Sequence, residues 1–168
     1  MQSKALFLDR DGVINEDLGY VHRAEQCVFV DGIFELVRSA NAAGYIVAVV
    51  TNQAGIARGL YTDAQFHDFM RWMQGQFALN GASLDHVYYC PHHPQAGKGV
   101  LRQTCICRKP EPGMLKHACV ELNLDMKASI LVGDKESDIE AARRAGVGRT
   151  FLIGENDAVS LGTVQQAL

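Results

Sequence analysis

The chain has 168 residues, 48% of them hydrophobic and 21% charged, the balance of an ordinary globular protein rather than a disordered one. Its formal net charge of -3 argues against a nucleic-acid binder that depends on a strong basic field. One domain spanning residues 1–168 is expected, burying roughly 70% of its unfolded surface.

Lys4 to Leu8 is a short apolar run suited to a fully buried strand. It is too short for a secretory core or a membrane span, so a cytoplasmic protein that does not touch membrane is expected. The run ends in Asp9-Arg10-Asp11-Gly12, two carboxylates two residues apart in a turn opened by a glycine. Residues 12–30 show no clean period and read as a functional loop, with Val28 to Val30 a small strand. From Asp31, the stripe Ile33, Leu36, Val37 and Ala40 predicts a helix that Gly44 ends. Tyr45 to Val50 is a second buried strand and delivers Thr51-Asn52-Gln53 at its C-terminal end.

Thr62 and Gln65 form a capping-box pattern ahead of Phe66, Phe69, Met70, Met73 and Phe77 at helical spacing, a core stripe. Leu84 to Tyr89 is a third strand leading into Cys90. Residues 90–111, rich in Pro, Gly, His and Cys, carry no period, and Pro112 suits the first turn of a helix with Leu115, Ala118, Cys119 and Leu122. Ser129 to Val132 is a fourth strand ending in Gly133-Asp134. A short helix through Ile139, Ala142 and Ala145 stops at Gly146, Thr150 to Ile153 is a fifth strand, and the C-terminal tail is uninformative. Strands alternating with helices imply an α/β fold, a three-layer Rossmann-like sandwich around a central parallel sheet. Ligands bind beyond the carboxyl ends of strands in such sheets, and the polar clusters of this chain fall at those ends.

Those clusters suit attack on a phosphate ester. One carboxylate of the Asp9/Asp11 pair attacks phosphorus and the other handles the proton on the leaving oxygen. A hard divalent cation would neutralise the non-bridging oxygens, with Asp134 an added ligand and Asp138 orienting it. Thr51, Asn52 and Gln53 offer a hydroxyl and amides to phosphate oxygens, and Arg108 or Lys109 supplies positive charge. Taken singly each has a plain structural reading: an N-cap for Asp134, turn chemistry for Thr51 to Gln53, a solvated loop for Arg108-Lys109.

Cys90-Pro91-His92 and Cys105-Ile106-Cys107 lie in one loop, about 90–107, that has no core of its own. Three thiolates and an imidazole suit a closed tetrahedral zinc site, structural rather than catalytic. His93 competes with His92, and His92 is preferred because its one-residue gap matches that of Cys105 and Cys107. The loop runs directly into Arg108-Lys109, so zinc would position those side chains. Cys27 and Cys119 read as small core residues.

Asp9-x-Asp11-Gly12, Thr51, Lys109 and Gly133-Asp134 with Asp138 together resemble the four motifs of the haloacid dehalogenase superfamily of phosphotransferases. The resemblance implies Asp9 as nucleophile and Asp11 as general acid and then general base. It implies magnesium held by Asp9, Asp134 and the backbone carbonyl of Asp11, with Thr51 and Lys109 stabilising the transferring group. The stretch from Asp11 to Thr51 is too short for a large cap domain. The zinc-loop insertion and the segments around Tyr20 to His22, Asn52 to Gly59 and Cys107 to Met114 are similar to the histidinol/heptose phosphatase group of that superfamily. That implies a sugar bisphosphatase acting on a heptose 1,7-bisphosphate in lipopolysaccharide-core assembly, with histidinol phosphate the alternative substrate. It further implies substrate contacts at Asp17, Gly19, Tyr20, Thr51, Asn52, Gln53, Ala54, Arg108, Lys109 and Lys135; Ala54 stands where serine is common, which leaves a backbone contact intact. A small phosphorylated sugar, no nucleic acid and a monomeric state are expected. A zinc-containing binding module without catalysis is the reading from another class.

Overall fold

The computed structural model describes residues 1–154 and 157–168. Five strands, β1 (Lys4–Leu8), β2 (Tyr45–Asn52), β3 (His86–Cys90), β4 (Ile130–Gly133) and β5 (Arg149–Leu152), form one parallel sheet in the order β3-β2-β1-β4-β5. β1 lies at the centre, with Ala5, Leu6, Phe7 and Leu8 all fully buried, which is why its sequence is an unbroken apolar run. Alternation along β1 divides the core. Leu6 and Leu8 pack with one apolar cluster, Ala5 and Phe7 with another on the opposite face.

Helices cover both faces. α1 (Ile33–Ala42), α3 (Asp63–Leu79) and α6 (Ala158–Gln166) bury residues in the first cluster. α4 (Gly113–Glu121) and α5 (Glu136–Ala145) bury residues in the second, and α2 (Ala54–Ala57) is a single turn after β2. The stripe Ile33, Leu36, Val37 and Ala40 is the buried face of α1, and Gly44 follows its end at φ +79°. Thr62 caps α3 as its spacing predicts: Gln65 N donates to Thr62 Oγ1 (3.1 Å) and Thr62 N to Gln65 Oε1 (2.9 Å). Among the described residues no helix is long and apolar enough to cross a membrane.

Several features differ from the sequence reading. Val28 to Val30 make no strand; Phe29 forms one isolated bridge with Asn15, and its ring packs among Phe34, Trp72 and Phe77 instead. The uninformative tail contains α6, which docks on α1 through Leu161 and Val164. Cys27 and Cys119 are half-buried rather than core, Cys27 against the rim of the first cluster. α2, four residues long, is too short to leave a period. Strand bounds move by one or two residues, and the fifth begins at Arg149.

Between Asp11 and α1 the chain forms a loop with one 3-10 turn, Ala24–Gln26, and no separate cap. The polar strand ends of β1, β2 and β4 therefore open together onto one edge of the sheet.

Candidate active site

Asp9 directly follows β1, its N–H donating to Val132 O of the neighbouring strand at 3.0 Å. Lys109, from the far end of the cysteine loop, reaches it along the sheet edge. The lysine is buried, and its Nζ donates to Asp9 Oδ1 (2.9 Å) and Val50 O (2.7 Å) and pairs with Asp138 Oδ1 (2.6 Å). All three ammonium protons have partners, so the side chain is held as a fixed positive charge. Burial pulls the Lys109 amine down, but Asp9 and Asp138 outweigh it and hold it above its ordinary value. Burial likewise raises the Asp9 carboxyl, and the Lys109 charge more than reverses that, leaving Asp9 ionised.

Asp134 leaves β4 beside them. Oxygens of Asp9, Asp134 and Asp138 lie within 4.8 Å of one another, and Asp134 Oδ1 is buried without a hydrogen-bond partner. Burial and then the adjacent Asp9 push Asp134 up to about 7. Three crowded acids around one lysine, with an unpartnered buried oxygen, fit a divalent cation. Asp134 presses on Gly12, where φ is +91° and a Cβ would stand 2.2 Å from Asp134 Oδ2; only glycine admits both the turn and this approach. The N-cap reading of Asp134 does not hold. The N-cap of α5 is Lys135, whose N–H donates to Asp138 Oδ2 in the first turn at 3.1 Å.

Asp11 points away from Asp9 toward a different set of donors. Its Oδ1 accepts from Arg10 Nη2 (2.9 Å) and Asn15 Nδ2 (3.1 Å), and its Oδ2 from Gln53 Nε2 (3.3 Å). Arg10 is fully buried, lies over the Phe69 ring at 5.0 Å and also donates to Val21 O (2.5 Å). One acid thus faces a lysine and a cation site, while the other sits in a polar grip, a division of labour that suits nucleophile and proton carrier.

A cleft of ≈ 570 Å³ is lined by Asp11 together with Asp17, Gly19, Tyr20, Asn52, Gln53, Ala54, Arg108, Lys109 and Lys135. Lys135 Nζ lies 3.9 Å from Asp17 Oδ2 and 4.0 Å from Asp134 Oδ2, bridging the rim to the acids. Thr51 is buried beneath. Asn52 and Gln53 line the cleft, and their side-chain amides also bond within the protein. Asn52 Oδ1 accepts from Lys109 N (3.0 Å) and its Nδ2 donates to Lys109 O (3.2 Å), a two-bond clamp that mimics a strand partner. The Asn52→Ala protein should lose activity by about 10-fold and melt earlier, since a buried peptide group loses its partners. Unchanged kcat in a steady-state assay would show that the clamp does not matter.

The structure also assembles the cysteine loop. Ligand atoms of Cys90, His92, Cys105 and Cys107 lie within 4.8 Å of one another, with Cys90 and Cys107 sulfurs 2.8 Å apart and His92 Nδ1 3.5 Å from Cys107 Sγ. His93 is elsewhere: its Nδ1 accepts from Gln95 N (3.1 Å) and Ala96 N (2.8 Å) and closes a turn. Three thiols in contact and no disulfide fit a thiophilic ion that would hold them as thiolates. Arg108 N donates to Cys105 Sγ (3.4 Å), and the Arg108 guanidinium donates to His92 O (3.4 Å), so the cluster sets the backbone that carries Arg108 and Lys109. The Cys105→Ser protein is expected to carry little zinc by elemental analysis and to melt well below the parent chain; full occupancy would remove Cys105 from the ligand set.

Sequence reasoning missed Arg10, Asn15 and Tyr61. Tyr61 donates its hydroxyl to Gln53 Oε1. The signal for Arg10 was present, a cation between two acids that must be neutralised; Asn15 and Tyr61 had none.

Paired carboxylates with separate environments, a fixed lysine and a cation site at the strand ends of a parallel sheet define the class as a HAD-like phosphohydrolase. A family model described as HAD-hydrolase-like matches residues 106–158. The chain is 53% identical over 168 residues, 100% of this chain and 89% of the relative, to D-glycero-alpha-D-manno-heptose-1,7-bisphosphate 7-phosphatase of Burkholderia mallei (strain ATCC 23344). It is 50% identical over 149 residues, 89% of this chain and 78% of the relative, to D-glycero-beta-D-manno-heptose-1,7-bisphosphate 7-phosphatase of Escherichia coli (strain K12). Among solved structures, D,D-heptose 1,7-bisphosphate phosphatase from B. bronchiseptica, complexed with magnesium and phosphate, superposes with TM-score 0.82 at 28% identity, covering 97% of this chain and 99% of that one. The chain belongs to the D-glycero-D-manno-heptose-1,7-bisphosphate 7-phosphatase family.

Proposed function

We propose that the chain, acting as one hydrolase domain, removes the 7-phosphate of D-glycero-D-manno-heptose 1,7-bisphosphate through an aspartyl-phosphate intermediate. The reaction would serve lipopolysaccharide-core assembly in the cytoplasm. The observation that carries the reading is 53% identity across the whole chain to a relative of that name. Asp9 attacks phosphorus and releases the sugar alkoxide, which takes a proton from Asp11. Asp11 then accepts a proton from the water that hydrolyses the acyl phosphate, regenerating Asp9. Lys109 and the Thr51 hydroxyl bear on the transferring oxygens, and Asn52 keeps Lys109 in place. Magnesium held by Asp9, Asp134 and the Asp11 carbonyl would screen Asp9 from the incoming dianion. Zinc on Cys90, His92, Cys105 and Cys107 would be structural, and Arg108 and Lys135 at the cleft rim would contact the sugar or its second phosphate.

An open cleft with cations at its rim suits a substrate carrying a second charged group. Purified protein with magnesium, assayed for phosphate release on both anomers of the heptose bisphosphate and on histidinol phosphate, tests this. Higher kcat/KM on a heptose bisphosphate is expected; a preference for histidinol phosphate would replace the reading with its alternative.

A further inference from the structure

Gln53 is almost fully buried, at 3% exposure, yet its amide serves two groups with a role in the chemistry. Its Nε2 donates to Asp11 Oδ2 (3.3 Å) and to Thr51 Oγ1 (2.9 Å). An amide has two nearly isosteric orientations, and only one suits these neighbours. Turned over, Oε1 would face the Asp11 carboxylate, and the Thr51 hydroxyl, which here accepts from Nε2 and donates to Asn52 O (3.4 Å), would have its proton drawn to that oxygen instead.

Tyr61 decides between them. Its hydroxyl donates to Gln53 Oε1, its one hydrogen-bond partner among the described residues. Turning the amide over would leave this buried hydroxyl proton without an acceptor, a costly state. Burial, first among the influences on the phenol, pushes it up to about 12, so it is a proton donor throughout the working range. The ring is itself fixed. It stacks on His22 at 4.6 Å and 13°, and it rests against Gly55, where a Cβ would come within 2.3 Å of the ring. α3 starts two residues later, with its capping box at Thr62.

We infer that Tyr61 is a positioning residue: by holding the Gln53 amide in one orientation it aims both the Asp11 carboxyl and the Thr51 hydroxyl at the reacting phosphate. This rests on the phosphatase reading above. A core aromatic with no such role would tolerate loss of its hydroxyl.

Tyr61→Phe keeps the ring, its stacking and its packing, so the fold is retained. On the heptose bisphosphate the variant should lose about 10-fold in kcat with KM little changed, the scale of a small misplacement of catalytic groups. The pre-steady-state burst of nitrophenolate from p-nitrophenyl phosphate should fall less, because that leaving group departs without a proton from Asp11. In a Gln53→Ala background the same substitution should cost nothing further. Equal losses on both esters, a loss that persists without Gln53, or unchanged kcat would each overturn the inference. A readout independent of turnover is the Gln53 side-chain amide NMR signal, assigned by its absence in Gln53→Glu. Its protons should exchange slowly in the parent chain and faster in Tyr61→Phe; identical exchange would also overturn the inference. A parent chain inactive on the heptose bisphosphate, with these amide and burst results intact, would instead remove the substrate assignment alone.

Discussion

Asp9→Asn protein is expected to release phosphate at least about 10⁴-fold more slowly than the parent chain while melting near the same temperature. The activity loss follows from chemistry: an amide oxygen has neither the charge nor the nucleophilicity to attack phosphorus. Retained stability follows from two opposed effects at one position. The substitution weakens the pair with Lys109 Nζ, 2.9 Å away, although the amide oxygen still accepts that hydrogen bond. It also removes the charge that helps push Asp134 up to about 7 and raises Asp138. Relief of repulsion among three acids within 4.8 Å offsets the weakened pair. Phosphate release and a thermal melt on the same sample check both halves; appreciable turnover would remove Asp9 as nucleophile.

Lys109→Met separates the same elements the other way. Methionine fills most of the lysine's volume, so no large cavity forms, but Asp9, Asp138 and the Val50 carbonyl all lose their donor. Breaking a buried ion pair from one side costs about 3–5 kcal/mol, so this variant should be both inactive and markedly destabilised. The pH dependence has a definite sign. In the parent chain the folded Lys109 lies above its ordinary 10.5, so its contribution is complete at neutral pH and is lost only as pH rises through that higher value. Asp9 lies below its ordinary 3.8, so its share is complete above that value and is lost only under stronger acid. In the variant the two orphaned carboxylates bind protons more readily when folded than when unfolded. The stability gap between the proteins should therefore be widest near neutrality and narrow as pH falls toward 4. Chemical denaturation at several pH values measures it; a gap that widens in acid would contradict the pairing.

These two residues also mark how far local sequence carries. Asp9 was readable because it ends an apolar run that can only be a buried strand, and in a parallel sheet the residues just past such strands face the ligand. Asp11, Thr51 and Asp134 were readable on the same ground, helped by the order in which they recur; Arg108 and Lys109 stood out together by following the cysteine loop, and the family resemblance singled out Lys109. The cysteine loop was readable because three thiols and a histidine in a stretch without a core have few other uses. His92 rather than His93 followed from spacing, and the structure groups His92 with the thiols while His93 closes a turn.

The amides behaved differently. Asn52 and Gln53 follow a strand, can donate and line the cleft, but which groups their side-chain amides bond depends on what the fold brings to them. Here that is the backbone of Lys109, 57 residues away, and the carboxyl of Asp11, 42 residues away. Tyr61 and the docking of α6 on α1 belong to the same category, since neither has a local pattern that names its partner. Hydrophobic periodicity and residues at strand ends are properties of a segment, so the sequence alone determined the sheet, its two apolar faces, the acids and the metal-type clusters. Orientation of hydrogen bonds is a property of pairs distant in the chain, so only the tertiary structure decided which groups hold Lys109 and which aim Asp11.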